Sequence, residues 1–170
     1  MFIIMENKGY KKSREFKRKT VCKTLEDFLI RCEILKTFKK DKNNALSYYN
    51  VKDVVVFGSF VNSDKEKVHD LDLNIVLEKS DLAKSMSREE LASVAYRLAP
   101  DNCNMVLKVF WLSEAVYKYL KNKSPIISVN VEDINQLSGR KVKVIENGVL
   151  CLENIKTIFH ENGYKSEYFE

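Results

Sequence analysis

The sequence predicts an α+β (α/β) fold in which helices flank a mixed β-sheet, with a helical extension at the N-terminus. Two apolar runs rich in β-branched residues, at 52–58 and 71–78, are typical of central strands. Apolar residues spaced three and four apart across residues 13–40 instead indicate one long helix. The chain has 170 residues, of which 45% are hydrophobic and 11% aromatic, so it is long and apolar enough to bury a core.

The N-terminal quarter is predicted to hold a basic arm, residues 1–12, followed by a helix from Ser13 to about Lys40. One face of that helix carries the apolar residues Val21, Leu25, Phe28, Cys32 and Leu35. Residues 41–50 are expected to break the helix with a short helical turn. We therefore expect two regions, an arm and helical extension over 1–50 and a main domain over 51–170 with a C-terminal hairpin and helix.

The first predicted strand, 52–58, stops at Gly58-Ser59, and a short helix is expected to begin at Ser59. The second strand, 71–78, follows after about a dozen residues. A crossover between parallel strands needs at least that many residues. A short helix and a tight return fit this connection.

The second half of the chain begins with a capping box at Ser87–Glu90, which predicts a helix running to about Ala99. A nine-residue apolar run at 104–112 predicts a third strand. Ser113 is then expected to cap another helix, which Ser124-Pro125 ends.

The C-terminal third is predicted to hold a hairpin and a last helix. Residues 126–133 favour a strand by composition but a helix by their place in the order, so both interpretations stay open. Asn147-Gly148 suits the type I′ turn of a hairpin. A helix over 153–162 is expected to end with Gly163 as its C′ residue.

Composition excludes several classes of protein. Four cysteines without a CxxC pair and two distant histidines argue against a zinc site and favour reduced core thiols. No run is long enough for a signal peptide or a membrane span, so we expect a cytoplasmic protein with no membrane partner. The net charge of +5 favours an anionic partner.

Two acids stand at the start of the second predicted strand. Asp70 and Asp72 are two residues apart, which places both carboxylates on one face. Paired carboxylates repel unless a cation lies between them, and Mg²⁺ (or Mn²⁺) prefers such oxygen ligands. Gly58 permits a close backbone approach, and the start of a helix at Ser59 suits an anion. The stretch therefore combines features that a nucleoside triphosphate with its metal ion requires.

The order of strand, Gly58-Ser59, about ten residues and Asp70-Leu71-Asp72-Leu73 resembles the DNA polymerase β-type nucleotidyltransferase superfamily, in particular its small single-domain members. The resemblance implies a nucleotidyltransferase-like fold in which Gly58 and Ser59 bind phosphates. It also implies that Asp70 and Asp72 are catalytic and bind Mg²⁺. The expected activity is transfer of a nucleoside monophosphate (NMP) from a nucleoside triphosphate (NTP), ATP among them, to a hydroxyl of RNA, a protein or a small molecule.

The sequence departs from this family in one important respect. Family members carry a third acid on a later strand, but the predicted strand 104–112 contains none, and Lys108 stands at about the third-acid position. Three acids elsewhere are candidate substitutes: Glu78, Glu114 and Asp133. The alternative function is a catalytically silent nucleotidyltransferase fold that acts as a nucleotide- or nucleic-acid-binding or regulatory module, antitoxin-like, with a partner protein.

A run of basic residues in the arm and first helix suggests a nucleic-acid partner such as RNA or tRNA. The candidate contact residues are Lys11, Lys12, Arg14, Lys17, Arg18 and Lys19. A solvated helix start is the alternative interpretation of such a run. A homodimer and a complex with another protein both stay open as assemblies.

Overall fold

The computed structural model describes residues 14–38 and 40–170. Its helices are α1 Arg18–Thr37, α2 Ser59–Asn62, α3 Asp81–Lys84, α4 Arg88–Leu98, α5 Met105–Val109, α6 Trp111–Lys121 and α7 Leu152–Glu161. Its strands are β1 Phe16–Lys17, β2 Tyr49–Phe57, β3 Lys67–Val68, β4 Leu71–Lys79, β5 Ile127–Asn130, β6 Val142–Glu146 and β7 Val149–Leu150. Short 3₁₀ turns occupy Ala45–Ser47 and Ile134–Gln136.

A mixed five-stranded sheet forms the centre of the protein, in the order β5-β4-β2-β6-β7. The strand β4 pairs antiparallel with β2 and parallel with β5. Because β2 and β4 are antiparallel, the short connection through α2 is long enough. The predicted α+β class, with a mixed sheet and an N-terminal helix, is confirmed.

The main hydrophobic core joins the sheet to α1, α6 and α7, and a smaller cluster lies beneath α3, α4 and the start of α6. The helix α1 buries the face that its spacing predicts, including Val21, Leu25 and Phe28. All four cysteines of the chain are free thiols; Cys22 and Cys32 of α1 lie in the core, as expected, whereas Cys103 and Cys151 are partly exposed. No helix in the described part of the chain has the length and apolar character needed to cross a membrane.

Two local predictions are confirmed in atomic detail. The Ser87 side chain accepts from the Glu90 amide while the Glu90 carboxylate accepts from the Ser87 amide, which forms the capping box of α4. At the β6–β7 hairpin, Asn147 and Gly148 have φ values of 48° and 77°, as a type I′ turn requires.

The predicted strand at 104–112 is wrong. The segment forms α5 and the start of α6, so Lys108 lies on a helix and does not stand beside Asp70 and Asp72 in the sheet. The side chain of Asn104 caps α5 by accepting from the Leu107 amide at 2.9 Å. Ser113 lies inside α6 and does not cap it. A short apolar run is compatible with either a strand or a helix, and here the Asn104 side chain stabilises the start of a helix.

The segment 126–133, left open between two interpretations, supplies the strand that lies beside β4. Its residues form β5, with Leu71 opposite Ile127 and Asp72 opposite Ser128. The strand β5 lies at one edge of the sheet, and it comes about twenty residues later in the chain than the third strand that the sequence suggested.

Candidate active site

The turn after β2 brings the backbone of Gly58 against the side chain of Asp72. Gly58 has φ 75° and ψ −161°, a conformation that side-chain-bearing residues rarely adopt. A Cβ atom at this position would lie 2.1 Å from Oδ2 of Asp72. Glycine is therefore required here both by the backbone conformation and by the adjacent carboxylate. The short helix α2 begins at the next residue, Ser59.

Asp70 and Asp72 lie together at the start of β4. Asp72 is half-buried and sits between Phe57 of β2 and Ser128 of β5. Burial, and then the negative charge of Asp70, raise the pKa of Asp72 to about 6. The Ser128 hydroxyl on the neighbouring strand lowers the pKa of Asp72, which offsets part of this rise. Such a pair repels itself at neutral pH and suits a divalent cation.

The strand β5 offers hydroxyl and amide groups to this site but no carboxylate. Its sequence is Ile127-Ser128-Val129-Asn130, and Ser128 occupies the place opposite Asp72. The part of the chain that the structure describes contains no group of three or more His, Cys, Asp or Glu residues arranged to hold a metal ion. The donor set therefore provides two protein carboxylates, with the Ser128 hydroxyl beside them.

The three acids considered as substitutes have other surroundings. Glu78 is exposed near the far end of β4, six residues from Asp72. Glu114 lies 3.9 Å from Lys118 on α6. Asp133 caps the 3₁₀ turn after β5 by accepting from the Asn135 amide at 2.9 Å. Lys108 places its Nζ atom 4.9 Å from the centre of the Tyr96 ring.

Arg18 and Asn62 hold α2 in place, a role that the sequence did not indicate. The Arg18 guanidinium stacks on Phe60 and donates hydrogen bonds to the Phe60 carbonyl, the Lys65 carbonyl and the Asn162 side chain. The side-chain amide of Asn62 donates a hydrogen bond through Nδ2 to the backbone carbonyl of Arg140 at 3.0 Å, and its Oδ1 accepts one from the backbone N–H of Arg140. These contacts join residues far apart in the chain, so no local pattern could reveal them.

The basic residues at and before the start of α1, proposed as nucleic-acid contacts, have different surroundings. Lys11 and Lys12 lie outside the described residues. Lys17 stands directly opposite Lys67 in the β1–β3 pair, and both are exposed. The carbonyl of Arg14 accepts a hydrogen bond from Nδ1 of His69, the residue before Asp70, at 3.2 Å. Lys19 is exposed on α1, whereas Arg18 is engaged within the fold.

Comparisons with known proteins bear on this arrangement. Searches of curated proteins and of solved structures each found no significant match. A model of the nucleotidyltransferase domain family matches residues 31–164, which include the Gly58-Ser59 turn, both aspartates and all five strands of the main sheet. The match covers more than half of the chain, and this chain therefore belongs to the nucleotidyltransferase domain family.

Proposed function

We propose that this protein binds an NTP with Mg²⁺ or Mn²⁺ and transfers its NMP group to an acceptor hydroxyl. The observation that carries this proposal is the contact between the phosphate-binding turn and the acids. Gly58 is pressed against the Asp72 carboxylate, and Asp70 lies beside it. Family membership supports nucleotidyl transfer in general, and the paired acids support its dependence on a metal ion.

Each residue has a chemical role in this proposal. Gly58 and Ser59 would hold the triphosphate at the start of α2, where the first backbone amides of a helix have no hydrogen-bond partner within the helix. Asp70 and Asp72 would hold the divalent ion, which neutralises charge on the phosphates when bound. The acceptor oxygen bonds to the α-phosphorus, the bond to the β-phosphate oxygen breaks, pyrophosphate leaves and the acceptor proton passes to water. Positioning and charge neutralisation provide most of the catalysis in such reactions.

A specific observation favours a second candidate function, a silent nucleotidyltransferase fold that binds nucleotide without turnover. The strand beside β4 carries Ser128 where the family resemblance implies a further acid on a strand. A hydroxyl cannot balance the charge of a second metal ion as a carboxylate does. The two candidates share the same binding site and differ only in turnover.

For the acceptor we propose RNA, contacted by Arg14, Lys17 and Lys19. Like charges directly opposite each other on paired strands are unfavourable, so the exposed pair of Lys17 and Lys67 gains stability from an anion between them. The strand β3, which carries Lys67, leads within three residues to Asp70. A phosphate backbone bound there would lie beside the transferred group.

The test is transfer of label from each of the four α-³²P-labelled NTPs to total RNA, with Mg²⁺ and the full-length protein. We expect labelled RNA and an equal amount of pyrophosphate, both lost in Asp70→Asn and Asp72→Asn. Asp64→Asn, an exposed acid in the same connection, is the matched control and should keep full activity. If Mg²⁺ with NTP stabilises the protein but no labelled RNA is formed, the result supports the silent fold. Failure of every NTP to bind contradicts both candidates.

A further inference from the structure

An apolar face lies open at the opposite end of the sheet from the candidate active site. We use the name α5 face for the side chains of Met105, Val106, Val109 and Phe110. These side chains are 74%, 70%, 50% and 62% exposed, and no residue of α5 is buried. Contiguous exposed apolar surface of this kind marks an interaction site in a folded protein. The same run looks like a buried strand in the sequence because its composition is that of a protein core.

A groove of about 330 Å³ continues the α5 face between α4, α6 and the ends of two strands. Apolar side chains form most of its walls: Tyr49, Leu91, Ala92, Val109, Phe110 and Leu112. Lys79 and Arg88 complete the lining, with Ser113. The groove is large enough to take one or two large apolar side chains from another molecule.

The cations at this face have no acidic partner among the described residues. Lys79 and Arg88 are exposed and form no ion pair there, and no acid lines the groove. Lys108 on α5 contacts the Tyr96 ring from 4.9 Å. The face therefore combines apolar surface with uncompensated positive charge.

We propose that the α5 face and its groove bind an amphipathic segment of another protein, with apolar side chains in the groove and flanking Asp or Glu residues on Lys79, Arg88 and Lys108. Charge complementarity selects this occupant over a second copy of the chain. A two-fold interface places the same patch on both sides, which would bring these cations together without acids to offset them.

Two other occupants fit the surface less well. Three of the four α5-face residues, Met105, Val106 and Val109, are aliphatic, so the Phe110 ring is the single aromatic surface that this face offers to a base, which disfavours single-stranded RNA. A bilayer offers a broad, flat apolar surface, whereas part of this site is a concave groove. A protein segment satisfies the groove, the aliphatic rim and the cations together.

The proposed docking site is independent of the candidate active site and of the proposed function. The pair Tyr49 and Lys79 marks one end of the β2–β4 ladder, and the pair Phe57 and Asp72 marks the other. Eight residues of extended strand separate the two ends by roughly 26 Å. A bound segment would leave the nucleotide turn accessible.

The test uses three fluorescent helical peptides of sixteen residues with leucines at positions i, i+3, i+4 and i+7. One peptide carries glutamates beside the leucines, the second carries lysines there, and the third scrambles the acidic sequence. We expect the acidic peptide to bind saturably and at least tenfold more tightly than the other two. Phe110→Asp should weaken it at least tenfold, whereas Val149→Asp, at an equally exposed site on β7, should leave it unchanged.

A charge exchange makes the test specific for this surface. Lys79→Glu combined with Arg88→Glu should lose the acidic peptide and gain the lysine peptide. No saturable binding of the acidic peptide, or binding that survives both variants, overturns the proposal. It is also overturned if the face instead binds a uridine oligomer or anionic vesicles more tightly than the acidic peptide, or if it mediates a dimer that Phe110→Asp dissociates in sedimentation velocity.

Discussion

At the residue scale, the main feature of the candidate site is a carboxylate that is partly buried beside a second one. Asp72 is half-buried, its neighbour Asp70 is negative, and the hydroxyl of Ser128 compensates only in part. The folded chain keeps the two carboxylates together although they repel each other, which is typical of sites that bind a cation. The missing side chain at Gly58 leaves the space that the Asp72 carboxylate occupies.

The first prediction concerns the charge of Asp72. Asp72→Asn removes a partly buried charge and its repulsion from Asp70, so the variant without ligand should be more stable than the wild type by about 1 kcal/mol, or about 2–4 °C in Tm. It should also lose the stabilisation that Mg²⁺ with NTP gives the wild type. Calorimetry with and without ligand measures both effects. A variant that keeps the full ligand shift would contradict the assignment of Asp72 as a metal ligand.

A pH dependence follows from the same residue. Its pKa rises from 3.8 to about 6 on folding, so between these values the folded protein binds more protons than the unfolded chain. The contribution of Asp72 to stability is therefore present below about pH 4 and is lost as the pH rises through 6. Denaturant unfolding at several pH values should show this slope in the metal-free wild type and a flatter one in Asp72→Asn.

The third prediction restores a carboxylate to β5. Ser128→Asp places a third acid opposite Asp72, so the protein without metal should become less stable and should bind Mn²⁺ more tightly by tenfold or more. Label transfer from NTP should also rise if a missing acid limits turnover. Ser128→Asn, of similar size without charge, is the matched control. Equal Mn²⁺ affinity in the two variants would show that position 128 does not face the metal.

At the element scale, predictions succeeded where local signals determine the structure. The capping box of α4, the Asn147-Gly148 hairpin and the turn at Gly58 each depend on neighbours in sequence, and each was predicted. The run 104–112 was misassigned because its composition is that of a core strand while its place is at the surface. The strand pair β1–β3 was missed because two residues give no periodicity.

The contacts around α2 show what sequence could not provide. A four-residue helix has little stability of its own, and its position depends on residues from α1 and from the end of α7. Arg18 was grouped with the other basic residues because sequence shows its charge and not its direction. The structure turns its guanidinium inward, onto the Phe60 carbonyl.

The fourth prediction tests this clamp. Arg18→Ala should reduce the free energy of unfolding by about 2 kcal/mol, because it leaves the Phe60 and Lys65 carbonyls without their charged donor. It should also weaken NTP binding, since α2 begins at Gly58 and Ser59, the residues that we propose bind the phosphates. Lys19→Ala removes a neighbouring exposed cation and should change stability by less than about 0.5 kcal/mol. Equal effects of the two substitutions on stability would contradict the clamp.

At the scale of the whole molecule, a buried carboxylate joins the first helix to the end of the chain. Glu26 of α1 is 1% exposed and accepts hydrogen bonds from Tyr164 at 2.7 Å, Ser166 at 2.5 Å and Lys23 at 3.0 Å. Burial alone would raise its pKa, but these donors outweigh it and the pKa of Glu26 lies below its usual value. The segment after α7 is thereby fastened over the main core, where Phe169 packs against Phe159.

The last prediction concerns this fastening. Because the pKa of Glu26 is lower in the folded protein than in the unfolded chain, its contribution to stability is present above about pH 4.5 and falls as the pH drops below it. Tyr164→Phe and Ser166→Ala should each cost about 1–2 kcal/mol at pH 7, since each removes a donor to a buried charge. In a Glu26→Gln background, the same substitutions should cost less, because a neutral amide gains less from each donor. A double-mutant cycle by urea unfolding measures this coupling, and fully additive costs would show that the tail is held by its apolar contacts alone.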